Sequence, residues 1–327
     1  TPTPAGGVPG VSGAPCPAGG YCLSGATSVT PCAPGSVRGA TGGRAQIDCG
    51  PCPGGFICLS TIPQPCPPGQ YCQFGQVPLP CPIGTFNPVQ GVANETGCLP
   101  CTAGFWCSAP GLSRTLPPCP LGQYCNPGVL APTGCPGGSY RNYTGARDVQ
   151  DCAICPPGFY CPGNTTNPIP CPAGSYCRAN AAQPHACPPG SFCPPKAPAA
   201  IPCAAGYYCP VNSNVQIPCE DGYYCVPGGT NHMLCPFGTR FNASTPQSLR
   251  DSPAHACIVC PPGTHGADPQ RLTCPICPGG YVCLGDTTSP TPTDEATQNG
   301  YRCPVGNYCP PGSSAPLPCA PGTYQAV

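Results

Sequence analysis

The sequence predicts small disulfide-rich repeats, joined into an elongated, solenoid-like rod of mini-units with turns, very short β-strands and almost no helix. Three observations lead there. The 327 residues hold 35 cysteines, a density typical of disulfide scaffolds. Those cysteines recur on a strict period, which points to stacked repeats. The chain also carries 57 prolines and 45 glycines, while Leu, Ile, Val and Phe make up only about a seventh of it, too little for an ordinary packed core.

The short unit is Cys-x5-Cys, usually in the form Cys-Pro-x-Gly-x-Tyr-Cys, as in Cys66–Cys72 and Cys187–Cys193. From Cys155 the opening cysteines fall at 155, 171, 187, 203, 219 and 235, a period of sixteen. A long unit opens the same way but closes later, as at Cys32 and Cys49, Cys81 and Cys98, or Cys135 and Cys152. Pro-Gly is the preferred central pair of a type II turn, with Pro fixing φ and Gly supplying φ > 0. Such a turn folds each short unit back and brings its two sulfurs together. The residue before the second cysteine is usually aromatic, as in Tyr21, Trp106, Tyr124, Tyr176 and Tyr224. That ring is expected to pack on its own disulfide or on the prolines of its neighbour. The connectors are too rich in proline for helix or central strand.

Pairing within units links Cys16 to Cys22, Cys155 to Cys161, Cys171 to Cys177, Cys187 to Cys193, Cys203 to Cys209 and Cys219 to Cys225. In the long units it links Cys32 to Cys49, Cys81 to Cys98 and Cys135 to Cys152. A shifted frame, with Cys161–Cys171 and Cys152–Cys155 bridges, is the alternative. Loops of this length contribute about 2–3 kcal/mol per bridge in the chain-entropy model. The count is odd. Cys319 opens Cys319-Ala-Pro-Gly-Thr-Tyr324 without a partner, so the natural polypeptide is expected to continue and close that unit.

Along the chain, residues 1–15 read as a Pro/Thr/Gly-rich linker or docking arm. Residues 16–154 hold mixed short and long units, 155–234 five uniform units, and 235–327 irregular units of which the last is incomplete. Ser289–Thr293 reads as an extended spacer open to O-glycosylation. The chain lacks an initiating Met and a signal-peptide pattern, as a mature or partial chain would.

Charge is sparse: eleven basic and eleven acidic residues, a net charge of zero and 7% charged residues. No basic face exists for a phosphate backbone, so nucleic acid is not an expected partner. Four sequons place candidate glycans at Asn94, Asn142, Asn164 and Asn242. No apolar run is long enough to span a membrane.

The chemistry-bearing alternatives are weak. Cys257-x2-Cys260-x13-Cys274-x2-Cys277 has the spacing of a four-thiolate zinc site, but the repeat rule accounts for it without metal. His185, His232, His255 and His265 are scattered, and His185 beside Cys187 reads as an ordinary neighbour of an oxidised cysteine. Glu220-Asp221 and Asp294-Glu295 are solvated pairs with too few oxygens for calcium. No catalytic, cofactor-binding or metal residue is assigned, and no cofactor is expected.

The long unit, Cys-Pro-x-Gly-Thr-Phe with a closing Cys-x-x-Cys, resembles the ephrin-receptor-like cysteine-rich repeat, a relative of tumour-necrosis-receptor and EGF-like modules. The resemblance runs from Cys16 to the end. It implies a non-catalytic extracellular role in receptor ectodomains, surface proteins or filaments. The uniform short units favour a structural part: a non-enzymatic, glycosylated rod that builds a filament, surface coat or matrix, by self-assembly or with other extracellular proteins. The alternative is a receptor or adhesive ectodomain binding a protein ligand, for which Asp268–Thr273 and Cys283–Cys303 are the irregular regions.

Overall fold

The computed structural model describes residues 14–60 and 62–323. It divides into two compact units, Thr1–Ile154 with Cys161–Pro168, and Cys155–Tyr160 with Ile169–Val327. Most of the proposed 1–15 arm, and Tyr324 of the last repeat, lie outside the described residues. Both compact units are built from one repeated device.

In the second compact unit, the repeat opened by Cys171 shows the device plainly. Ser175 N–H donates to the Pro172 carbonyl (3.2 Å), closing a turn over Ala173 and Gly174. Gly174 has φ +78°, a left-handed conformation that costs glycine nothing. The chain then runs as Ser175–Tyr176, antiparallel to His185–Ala186. Cys187 N–H donates back to Gly174 O (2.9 Å). The first compact unit repeats the pattern at Cys66, where Gln70–Tyr71 pairs with Leu79–Pro80 and Gly69 takes φ +85°.

Disulfides close the turns. In the first compact unit Cys16 is bonded to Cys22, Cys32 to Cys49, Cys52 to Cys58, Cys66 to Cys72 and Cys81 to Cys98. Cys101 is bonded to Cys107, Cys119 to Cys125 and Cys135 to Cys152. In the second, Cys171 is bonded to Cys177, Cys187 to Cys193, Cys203 to Cys209 and Cys219 to Cys225. The irregular repeats follow suit, with Cys235–Cys257, Cys260–Cys274, Cys277–Cys283 and Cys303–Cys309. Cys155 and Cys161 are also disulfide-bonded. Since Cys152 goes to Cys135 and Cys171 to Cys177, the shifted frame is not adopted.

The aromatic residues pack differently from expectation. Tyr160 lies on the disulfide of the following repeat, Cys171–Cys177, and on Ala181. Tyr176 likewise covers Cys187–Cys193 and Ala197. Cys177 N–H, next in the chain to the Tyr176 ring, donates to Ala197 O (2.9 Å), which holds this strand against the next repeat. Each ring therefore couples two repeats instead of filling one.

Hydrogen bonds couple them further. Gly190 N–H donates to Cys209 O (2.8 Å), Cys193 N–H to Ser213 O (2.9 Å), and Asn212 N–H back to Cys187 O (3.0 Å). The last donor sits nine residues after the opening Cys203, in the left-handed region with φ +62°. The same offset holds Asn180 (φ 63°), Lys196 (φ 62°) and Gly228 (φ 70°). Asn tolerates this conformation and β-branched residues do not. Asn212→Gly should leave hydrogen-exchange protection of the amides around Cys187 unchanged. Asn212→Val should weaken it by about 1–2 kcal/mol of local opening.

The second strand of each ladder lies at an edge and commonly ends in proline: Pro65, Pro80, Pro170, Pro202, Pro218 and Pro318. Cys203 N–H points inward to Gly190 O, so alternation turns the N–H of residue 202 outward. Proline has none to offer there.

Among the described residues, helix is confined to α1 (Pro253–Ala256), α2 (Glu295–Gln298) and short 3-10 turns. Ser289–Thr293 is not a spacer. Pro292 is fully buried, Thr293 N–H donates to Gln298 Oε1 (2.7 Å), and the segment packs on Gly300 as it leads into α2.

Candidate functional site

The long repeats lack the cysteine six residues after the opening one, and other side chains take that position. Arg38 reaches across its loop to donate to Asp48 O (2.9 Å), beside the closing Cys49. Arg141 does the same toward Asp151 O (2.8 Å), beside Cys152. Asn87 is fully buried, donates to Gln70 O (2.9 Å) and accepts from Val89 N–H (3.0 Å). Phe241 packs on Cys235, Ala256 and Cys257. Two arginines clamp this end of the second compact unit. Arg250 stacks on Phe241 (4.7 Å to the ring centre), donates to Cys219 O and pairs with Asp221 (2.9 Å). Arg271 is buried over Phe237 (3.9 Å) and donates to Cys235 O (3.2 Å).

The carboxylates serve the loops. Asp48 accepts from the backbone N–H groups of Arg44 and Ala45, and those bonds hold its pKa below the usual range. Asp151 is lowered first by the Arg147 N–H. Asp268 binds the N–H groups of Leu272 and Thr273, and its pKa falls, chiefly through Thr273. The irregular segment Asp268–Thr273 is thus a closed turn around one carboxylate.

The histidines play separate parts. His185 lies against Tyr176 (5.5 Å), and His232 sits between Tyr208 (5.1 Å) and Tyr223 (4.2 Å). Asp251, Ser252 and His255 form a cluster in which carboxylate (2.7 Å) and hydroxyl (3.2 Å) both meet the same Nδ1. A nucleophile–base relay needs them on opposite ring nitrogens, and this arrangement lacks that geometry. His265 is buried, its Nδ1 facing Ala267 N–H (3.4 Å), and burial pushes its pKa down. Unfolding frees it to bind a proton at its ordinary pKa of about 6.5. Its contribution to stability is therefore complete above that pH and is lost as pH falls below it. Thermal melting should shift down from neutral to mildly acidic pH, and His265→Asn should flatten that dependence.

The sequons fall at different kinds of position. Asn94 is exposed and stands just before a 3-10 turn, its Oδ1 accepting from the Thr96 hydroxyl (2.5 Å). Asn142 and Tyr143 are exposed in a long-repeat loop. Asn164 is exposed at a left-handed position with φ 65°, so backbone conformation alone accounts for asparagine there. Asn242 is half-buried and accepts from Ser244 N–H (3.2 Å). The zinc-spaced cysteines 257, 260, 274 and 277 are all in disulfides, and Cys319 is a free, half-buried thiol.

Sequence reasoning missed the left-handed position and the residues that replace the second cysteine. The first had a signal, since Gly, Asn or Asp stands nine residues after Cys16, Cys66, Cys119, Cys155, Cys171, Cys203, Cys219, Cys277 and Cys303. The second had only a partial one: Arg38 and Arg141 stand six residues after Cys32 and Cys135, but Asn87 and Phe241 take that place after Cys81 and Cys235. No described helix is long and apolar enough to cross a membrane. The chain is a cysteine-rich, disulfide-stabilised repeat protein of the kind found in oxidising, extracellular surroundings. Comparison with family models and with curated proteins finds no match for it.

Proposed function

We propose that the chain is a non-enzymatic structural protein outside the cell, a glycosylated repeat rod that contributes stiffness to a filament, surface coat or matrix. One observation carries this reading. The turn glycine of one repeat abuts the backbone two repeats on, and this recurs through both compact units. In the first, Gly69 meets Gly111 O and Gly104 meets Gly145 O. In the second, Gly158 meets Lys196 O, Gly174 meets Asn212 O and Gly190 meets Gly228 O. A chain that spends each repeat on fixing the next ones is built for mechanical continuity, and disulfides within repeats add protease resistance.

Glycans at exposed Asn94, Asn142 and Asn164 would keep a nearly uncharged surface in solution. The resemblance to ephrin-receptor-like repeats supports an extracellular, non-catalytic role. Small-angle scattering of the secreted chain, with glycopeptide mapping, tests the reading. A radius of gyration well above the ~20 Å of a compact chain this long is the expected result, together with glycans on at least two sequons. A compact particle without sugar would refute it.

A further inference from the structure

The uniform run from Ile169 to Leu234 exposes one ladder strand per repeat, apolar in four of the five. These are the second strands of the ladders: Ile169–Pro170, His185–Ala186, Ile201–Pro202, Ile217–Pro218 and Met233–Leu234. Ile169, Ile201 and Leu234 are 39%, 42% and 39% exposed. Proline at 170, 202 and 218 removes the outward N–H, so this edge does not extend a β-sheet and meets a partner through side chains.

The run is almost free of charge, and what it has is polar in arrangement. Arg178 and Lys196 stand in its first part, Glu220 and Asp221 in its last. Asp221 is taken by Arg250. Arg178 lies over Tyr176 (5.5 Å to the ring centre), on the Tyr176–His185 ladder. Glu220 is exposed and follows the Ile217–Pro218 strand.

We propose that this run is a self-recognition surface, on which a second copy of the chain packs antiparallel about a two-fold axis at Ile201. That axis sets Ile201 against Ile201, Ile169 against the Met233–Leu234 strand, and the Tyr176–His185 ladder against Ile217–Pro218. It thereby brings Arg178 of each copy to Glu220 of the other, twice over, as an isologous interface requires. Parallel, in-register packing would instead set Arg178 beside Arg178 and Glu220 beside Glu220. The second copy is the partner whose charges are complementary in this order. The inference rests on the structural reading above and names the contact by which such a rod associates.

Sedimentation equilibrium of the full chain tests it. The expected result is a reversible dimer, weakened about a hundredfold by Ile169→Ser with Ile201→Ser, since each substitution acts twice in a two-fold contact. Both side chains are exposed, and an unchanged circular dichroism spectrum confirms that the variant folds. Arg178→Glu alone and Glu220→Arg alone should each weaken association roughly fivefold, and the two together should restore it. A monomer at every concentration, a dimer indifferent to the serine substitutions, or a double reversal that fails to restore binding would each overturn the proposal. An extended scattering profile from a strictly monomeric chain would leave the structural reading standing while removing this one.

Discussion

Full reduction should unfold the chain outright at neutral pH and room temperature, without denaturant. The physical reason is how little else is buried. Apart from cysteines, the largest fully buried side chains are Phe241, Val282, Asn87, Thr287 and Pro292, all but Asn87 in the irregular part of the second compact unit. The uniform repeats opened by Cys171 and Cys187 bury sulfur, one alanine and part of an aromatic ring each. Two-residue ladders are not stable alone. Removing a native disulfide from a small domain of this type costs about 2–5 kcal/mol, and repeats without a core have nothing to set against that loss. Amide dispersion in nuclear magnetic resonance spectra should collapse on adding a phosphine reductant. Retention of dispersed signals would show that proline-rich stacking holds the repeats without sulfur.

Gly190→Ala, at a turn glycine of the uniform run, should be severely damaging. Its φ of +80° already strains any side chain. An added Cβ would also stand 2.3 Å from the carbonyl oxygen of Gly228, a residue fixed by the bond its own N–H donates to Cys203 O (3.0 Å). Overlap plus strain should cost about 3 kcal/mol or more. Gly228→Ala makes the control, since that position has φ +70° and open space around the added methyl. It should cost only the left-handed penalty, about 1–2 kcal/mol. Hydrogen exchange read repeat by repeat should show the Gly190 lesion confined to its neighbours, because contacts reach two repeats and no further. Uniform loss of protection would contradict that locality.

Much of the fold was legible because cysteine spacing and turn chemistry act locally. Cys-Pro-x-Gly announces its turn, and Gly158 and Gly174 occupy the left-handed position that the motif demands. Ladders of two residues follow from turns on one side and prolines on the other. What spacing did not reveal was contact between repeats. Tyr160 and Tyr176 look, in one dimension, like fillers of their own loops, and only the course of the strand carries them to the next disulfide. Ser289–Thr293 misled for a related reason. Its composition is that of a spacer, yet Pro292 is buried beside Gly300 and Thr293 bonds to Gln298 of α2, both later in the chain. The candidate glycan sites are legible as motifs alone, and Asn164 shows the limit, since its backbone conformation gives asparagine a separate reason to be there.

The bridges also determine how the molecule would bear a pull. Between Cys171 and Cys177, or Cys187 and Cys193, the covalent path runs through sulfur and bypasses the turn. Tension along the chain therefore bypasses the type II turns, whose internal bonds stay intact under load. Only the proline-rich connectors lie in series with the force. They are folded back as the closed ends of the ladders, with Ala181 N–H donating to Arg178 O (3.2 Å) and His185–Ala186 returning beside Ser175–Tyr176, so they hold the length that a pull would release. A chain wired in this way lengthens ladder by ladder while the bridged turns keep their shape, and it shortens again as the ladders re-form.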